Sequence, residues 1–287
     1  MSGGLDSRLN AYRSDLADIA LKDRVSATNY VAGERRIVTK PVLNMRDLPD
    51  DGSSIGTQAL MGEAVTLFEE RDGRGWVQLE TDGYVGYVDT GGLGPPGAEP
   101  THIVTVPRTF LYRAADLRSP VRTVCSIGNR LAVTGSETTR GTEYLLLDGG
   151  GAVIAAHVAP LPYRADDYVG IAAMFLNTPY LWGGRSGFGV DCSGLVQLAM
   201  AMCGTSAPRD TDMQEAGLGE PVDAGTDYAG LRRGDLVFWK GHVAVVEGGG
   251  TVLHASGHAM QVVREPLTQA IDRIGRLFGP PTTTRRP

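Results

Sequence analysis

The chain has 287 residues, enough for two or three domains and at least one full-sized core. Apolar residues make up 42% and charged residues 21%, the balance of an ordinary soluble globular protein. A net charge of −6 argues against nucleic acid or an anionic membrane surface as the main partner.

Residues 1–33 read as an N-terminal extension with charges every few positions. The extension lacks the apolar core of a secretory signal, and no apolar run in the chain reaches transmembrane length. Cys125, Cys192 and Cys203 are odd in number and show no CxxC spacing, which suits a reducing compartment. The expectation is a cytoplasmic protein.

Residues 34–95 alternate apolar and polar side chains in short runs such as "AVTLFEE" and "WVQLE", broken by Gly/Asp turns. Such runs predict a small all-β barrel or sandwich. The connector "GGLGPPGAEP" (91–100) marks a boundary. Residues 101–160 repeat the first segment weakly: at an offset of 66 (62 to 128), Gly62 falls on Gly128, Asp82 on Asp148, Gly83 on Gly149 and Val88 on Ile154. From 163 to 278 the pattern changes. "DDYVGIAAMFL" has helical spacing with aspartates in its first turn, a glycine-rich loop follows, and "SGLVQLAMAMC" predicts a second helix with Leu195, Leu198, Ala199 and Met202 on one buried stripe. Residues 279–287, "GPPTTTRRP", are expected to be a flexible tail.

Cys192 stands at the start of that second helix. Unpaired N–H groups and the positive end of the helix dipole there favour thiolate over thiol and can stabilise a developing oxyanion. Position alone leaves open a buried cysteine acting as a small hydrophobe, the reading assigned to Cys125 and Cys203, with Cys203 on the same buried helix face as Cys192. The histidines decide for Cys192. "GHVAVVEGGGTVLHASG" reads as a hairpin turning through Gly248, Gly249 and Gly250. If Glu247 opposes Thr251, His254 faces Ala244 and His242 lies diagonal to it on the same face, roughly 7–8 Å away between backbones. Cys192, His242 and His254 then form a nucleophile, base and orienter. A Cys/His/His zinc site would lack a second thiol at ligand spacing. His102, His157 and His258 have no such partners in sequence and are taken as structural.

At these residues the chain resembles the NlpC family of bacterial cell-wall cysteine peptidases, whose fold is papain-like. The blocks "PYLWGG", "DCSGL", "PRDTDMQ", "LRRGDLVFW", "GHVAVV" and "HASG" occur in order over roughly 165–275. The resemblance implies an α+β catalytic domain with Cys192, His242 and His254 in the same three roles, and a substrate-side role for Tyr180. The first segment resembles a bacterial SH3-like barrel through "LNMRDLP", "IGTQALMGEAVTLFEE", "GWVQLE" and "DGYVGYV"; the second does so mainly by spacing.

Two small all-β SH3-like barrels ahead of such a domain resemble murein-peptide recycling enzymes. The resemblance implies hydrolysis of the bond between γ-D-glutamate and diaminopimelate or lysine in small murein peptides with a free N-terminal L-Ala. It makes Asp191 and Ser193 candidates to receive the substrate amine, and Glu63 and Tyr84 candidates to close one end of the cleft. Their equivalents at the offset of 66 are Asn129 and Gly150. No metal or organic cofactor, nucleic acid or membrane partner is implied. The rival readings are a related amidase or acyltransferase, and a non-catalytic module that binds cell-wall peptide.

Overall fold

Short alternating runs separated by tight turns build the first unit, which ends at Pro162 in a computed structural model describing residues 4–287. Its seven-stranded antiparallel sheet runs in the order Ile55–Leu60, Val42–Arg46, Val85–Asp89, Arg74–Leu79, Ala64–Arg71, Glu34–Val38 and Leu93–Gly94. The strands converge on Val38, Leu43, Met45, Val65, Val77, Leu79 and Val88. The N-terminal extension is packed against this sheet. Ala11 and Leu16 cluster with Phe68 and Trp76, and the Arg13 guanidinium lies 4.4 Å over the Trp76 ring while pairing with Glu69 at 2.9 Å.

Residues 101–160 repeat the construction of the first sheet at the level of individual hydrogen bonds. Val42–Arg46 pairs with Ile55–Leu60 with an irregularity at Met45/Arg46, and Arg108–Tyr112 pairs with Val121–Ser126 with one at Leu111/Tyr112. Gly62 donates its N–H to Val38 O at 2.9 Å, and Gly128 donates to Val104 O at 2.9 Å. Both glycines have positive φ, +82° and +86°, a conformation that strains other residues. The two segments then differ, since the second splits into a five-stranded and a three-stranded sheet.

The second unit begins at Tyr163. Asp167 caps α1 (Tyr168–Ala173) by accepting the Val169 N–H at 3.0 Å. The nucleophile-bearing helix α2 (Cys192–Met202) and the short α3 (Thr211–Gly217) follow, and α4 (Leu267–Phe278) comes late in the chain. A six-stranded antiparallel sheet runs Glu220–Pro221, Thr283–Arg286, Leu236–Trp239, His242–Gly248, Thr251–Ser256 and Gln261–Pro266. Side chains alternate across it. Leu236, Phe238, Val243 and Val245 meet Val196 and Met200 of α2; Val237, Trp239, Ala244 and Val246 meet Ala270 and Ile274 of α4. The sheet is covered on both faces, so its strands read as near-continuous apolar runs.

The end of the chain corrects the expectation of a flexible tail. Thr283–Arg286 forms a strand between Glu220–Pro221 and Leu236–Trp239. Arg286 donates from Nε and Nη2 to the two carboxylate oxygens of buried Asp235, each at 2.7 Å. A bidentate pair and a backbone ladder outweigh the polar composition of "TTRR". No helix among the described residues is long and apolar enough to cross a membrane.

Candidate active site

The start of α2 is built by Asp191 and two glycines. Asp191 is the N-cap, accepting the Gly194 N–H on Oδ1 at 2.7 Å and the Gly183 N–H on Oδ2 at 2.9 Å. Gly194 is required for close approach, because a Cβ there would stand 2.2 Å from Gly184 O. Arg209, 1% exposed, locks the cap from the side. It donates from Nη1 to Asp191 Oδ1 at 3.0 Å, from Nη2 to Oδ2 at 2.6 Å, and from Nη1 to Ser193 Oγ at 3.0 Å. Gln214 of α3 donates to the Ser193 carbonyl at 3.0 Å. Cys192 is thus held in the first turn, its Sγ 3.6 Å from Thr211 Oγ1 and 3.9 Å from Gly241 O.

The hairpin brings the two histidines together. Val245 pairs with Leu253 and Val246 with Val252, the expected register. At the turn the expectation is corrected: Gly248, not Glu247, opposes Thr251, and the ladder is irregular between Val246 and Gly248. Gly249 and Gly250 make the reversal, both with positive φ. His242 Nε2 lies 2.7 Å from His254 Nδ1, with ring centroids 4.9 Å apart. The Trp239 ring centroid lies 5.8 Å from that of His242. His254 is buried, and its Nε2 is 2.7 Å from Glu265 Oε1. The same oxygen accepts from Arg273 of α4.

Electrostatics corrects the expectation of a lowered thiol pKa. Burial pushes Cys192 up to about 11, reinforced by the charge of Asp191 and opposed by Thr211 and the N–H groups of Val243 and Ser193. Burial, with His254 and Arg273 beside it, pushes His242 down to about 3, while Glu265 opposes the shift. Desolvation outweighs the helix dipole here and disfavours the charged form of each group taken singly. Moving a proton from one to the other would create opposite charges, and their attraction would offset part of the burial cost that each bears alone.

The other expected residues divide. Tyr180 is in the site: its phenol is pushed above its ordinary value by burial and then by the nearby Cys192 and Asp191, and its ring edge lies 4.0 Å from where a Gly257 Cβ would stand. Asp191 and Ser193 flank the thiol, where Arg209 and backbone donors engage them.

Glu63 and Tyr84 lie in the first unit. Glu63 is 3% exposed; its Oε2 accepts the Leu60 N–H at 2.7 Å and its Oε1 lies 3.2 Å from Thr81 Oγ1. Asn129 accepts the Ser126 N–H at 3.0 Å in the repeat, so both residues brace the same turn. Tyr84 belongs to the core cluster of the first sheet. Cys125 is buried and pushed up to about 12 by its burial, whereas Cys203, at the C-terminal cap of α2, is only half-buried.

Sequence reasoning missed Arg209, Thr211, Trp239, Glu265 and Arg273. The first three lie in blocks already singled out, "PRDTDMQ" and "LRRGDLVFW"; the last two had no local signal. Among the described residues no group of three or more His, Cys, Asp or Glu side chains is placed to hold a metal ion.

A thiol on a helix start, packed against an antiparallel sheet that carries paired histidines, is the papain-like arrangement. Residues 177–272 match the model of the NlpC/P60 family, and residues 45–93 match that of the bacterial dipeptidyl-peptidase SH3 domain. The γ-D-glutamyl-L-lysine dipeptidyl-peptidase of Bacillus subtilis (strain 168) is 30% identical over 243 residues, 76% of this chain and 77% of that protein. Dipeptidyl-peptidase 6 of Lysinibacillus sphaericus is 29% identical over 275 residues, 84% and 99% of the two chains. The crystal structure of an NlpC/P60 family protein from Bacillus cereus superposes with a TM-score of 0.72 at 23% identity, covering 88% of this chain and 99% of that one. The chain belongs to the NlpC/P60 family, with a papain-like domain preceded by an SH3 domain.

Proposed function

We propose that this protein is a cysteine peptidase that hydrolyses the bond between γ-D-glutamate and the following diamino acid in small murein peptides, in cell-wall peptide recycling. The observation that carries the chemistry is the 2.7 Å contact from His242 Nε2 to His254 Nδ1, on a strand whose preceding residue, Gly241, has its O 3.9 Å from Cys192 Sγ. With Nε2 engaged, Nδ1 is the His242 nitrogen left to take the thiol proton. Cys192 attacks the γ-carbonyl, the Sγ–H proton passes to His242 Nδ1, and His242 returns it to the departing amine. Water then cleaves the thioester with His242 as base, regenerating the thiol. N–H groups at the start of α2 stabilise the oxyanion. Tyr180 lines the substrate side.

Substrate choice is supported by two relatives, named γ-D-glutamyl-L-lysine dipeptidyl-peptidase and dipeptidyl-peptidase 6, matched over three quarters or more of this chain. Residues 101–160 are proposed to be a second SH3-like domain, supported by the hydrogen bonds they share with the first. The test is mass spectrometry of products from L-Ala-γ-D-Glu-diaminopimelate and its lysine counterpart. The expected products are L-Ala-D-Glu and the free diamino acid. A cut at another bond, or none with either peptide, overturns the substrate assignment.

A further inference from the structure

The hydrogen-bond chain that starts at His242 does not stop at His254. It continues to Glu265 on the next strand and to Arg273 on α4, and it ends there on an ion pair. His254 stands opposite Val263 in the sheet, so the Glu265 side chain, two residues along the same strand face, reaches back to the far nitrogen of the His254 ring.

We propose that Glu265 is a positioning residue that sets the direction of every hydrogen bond in this chain, resting on the reading of Cys192 and His242 as nucleophile and base. An ionised carboxylate can only accept. Its contact with His254 Nε2 therefore places the ring proton on Nε2 and makes Nδ1 an acceptor. His242 must then donate from Nε2, and its lone pair is left on Nδ1. Without an obligate acceptor at the end, His254 can carry its proton on Nδ1 instead. The bond to His242 then reverses, the His242 proton moves to Nδ1, and the imidazole cannot accept from a thiol. A histidine held in the wrong tautomer costs as much as about 10⁴ in kcat in the serine-protease triad, so direction has large consequences.

Two features make the acceptor permanent. Arg273 donates to the same Oε1 that meets His254, so that oxygen cannot carry a proton of its own without losing the ion pair. The hydrogen bond from His254 and then the Arg273 charge hold the Glu265 carboxyl below its ordinary value against the opposing effect of burial. The role is directional more than electrostatic, because Glu265 and Arg273 act on His242 with opposite signs. That distinction is testable. A glutamine keeps an acceptor oxygen, held in place by Arg273, but has no charge; an alanine has neither.

The experiment compares wild type, Glu265→Gln, Glu265→Ala and His242→Ala on the tripeptide that wild type cleaves. It also reads histidine tautomers by ¹⁵N NMR in Cys192→Ala protein with and without Glu265→Ala. Glu265→Ala should lower kcat by about 10–100-fold, well short of a locked wrong tautomer, with KM within about twofold. Glu265→Gln should stay within about fivefold of wild type. The NMR should show Nε2–H on both His242 and His254, with mixed tautomers once Glu265 is removed. Wild-type kcat in Glu265→Ala, equal losses in the Gln and Ala variants, or Nδ1–H on His254 with Glu265 present would overturn the proposal. Turnover that survives in His242→Ala sinks the underlying catalytic reading instead. The tautomer measurement needs no activity and decides the Glu265 claim either way.

Discussion

Replacing Arg209 with Met tests whether the thiol depends on a buried ion pair. Arg209 is 1% exposed and makes a two-pronged contact with Asp191, which is also almost fully buried and caps α2. The substitution keeps apolar bulk but leaves the Asp191 carboxylate buried without its cation, and it strips a donor from Ser193 Oγ. Removing one partner of such a pair costs about 3–5 kcal/mol, against about 0–1 kcal/mol for an exposed pair. A domain of total stability about 5–15 kcal/mol is left near its threshold.

Urea unfolding followed by tryptophan fluorescence resolves this effect. Buried Trp239 lies in the papain-like unit and Trp76 in the first unit, so the loss should fall on the Trp239 transition alone. Adding Asp191→Asn keeps the capping oxygen while removing the orphaned charge, so the double variant should recover part of the loss. An Arg209→Met protein within about 1 kcal/mol of wild type would refute the reasoning, since that is the behaviour of a solvated pair.

Three further outcomes are expected. Cys192→Ala and His242→Ala should each remove most turnover, by several orders of magnitude, and the double variant should be little worse in steady-state kinetics, because the two act as one unit. Stability should fall as pH drops from 6.5 towards 3: His242 stays neutral in the folded chain over that window while the unfolded chain binds a proton, and the lowered Glu265 adds loss of the same sign below 4.5. The slope from His242 is at most about 1.4 kcal/mol per pH unit, and His242→Ala should flatten the part between 4.5 and 6.5 in urea titrations. Glu63→Ala should destabilise the first unit by about 1–3 kcal/mol through the orphaned Leu60 N–H, with Asn129→Ala acting likewise in its own segment. Free and N-acetylated peptides should be discriminated equally well by wild type and Glu63→Gln; a selective loss for the free amine would place Glu63 at the substrate site.

What could be read from the sequence was local. Cys192 follows a capping aspartate and precedes an apolar helical stripe, and His242 and His254 share a face once a glycine turn sets the hairpin register. What could not be read depends on distant packing. Glu265 reaches His254 only because the Gln261–Pro266 strand pairs with Thr251–Ser256 in one particular register. Arg209 finds Asp191 across a loop that sequence spacing does not describe. A motif marks where Glu63 and Tyr84 sit and not what their side chains contact; the shared turn brace at Glu63 and Asn129 appears only in three dimensions. The thiol pKa was misjudged because a helix dipole is legible in sequence, whereas burial of the helix start is not.

The most direct measurement is rapid-quench mass spectrometry of the enzyme during turnover of L-Ala-γ-D-Glu-diamino acid tripeptide, with peptide mapping of the modified site. The account predicts a transient mass increase equal to L-Ala-D-Glu less one water, carried as a thioester on Cys192 and absent from Cys192→Ala. Product release with no such adduct under conditions that trap thioesters, or an adduct on another residue or of another mass, would contradict it.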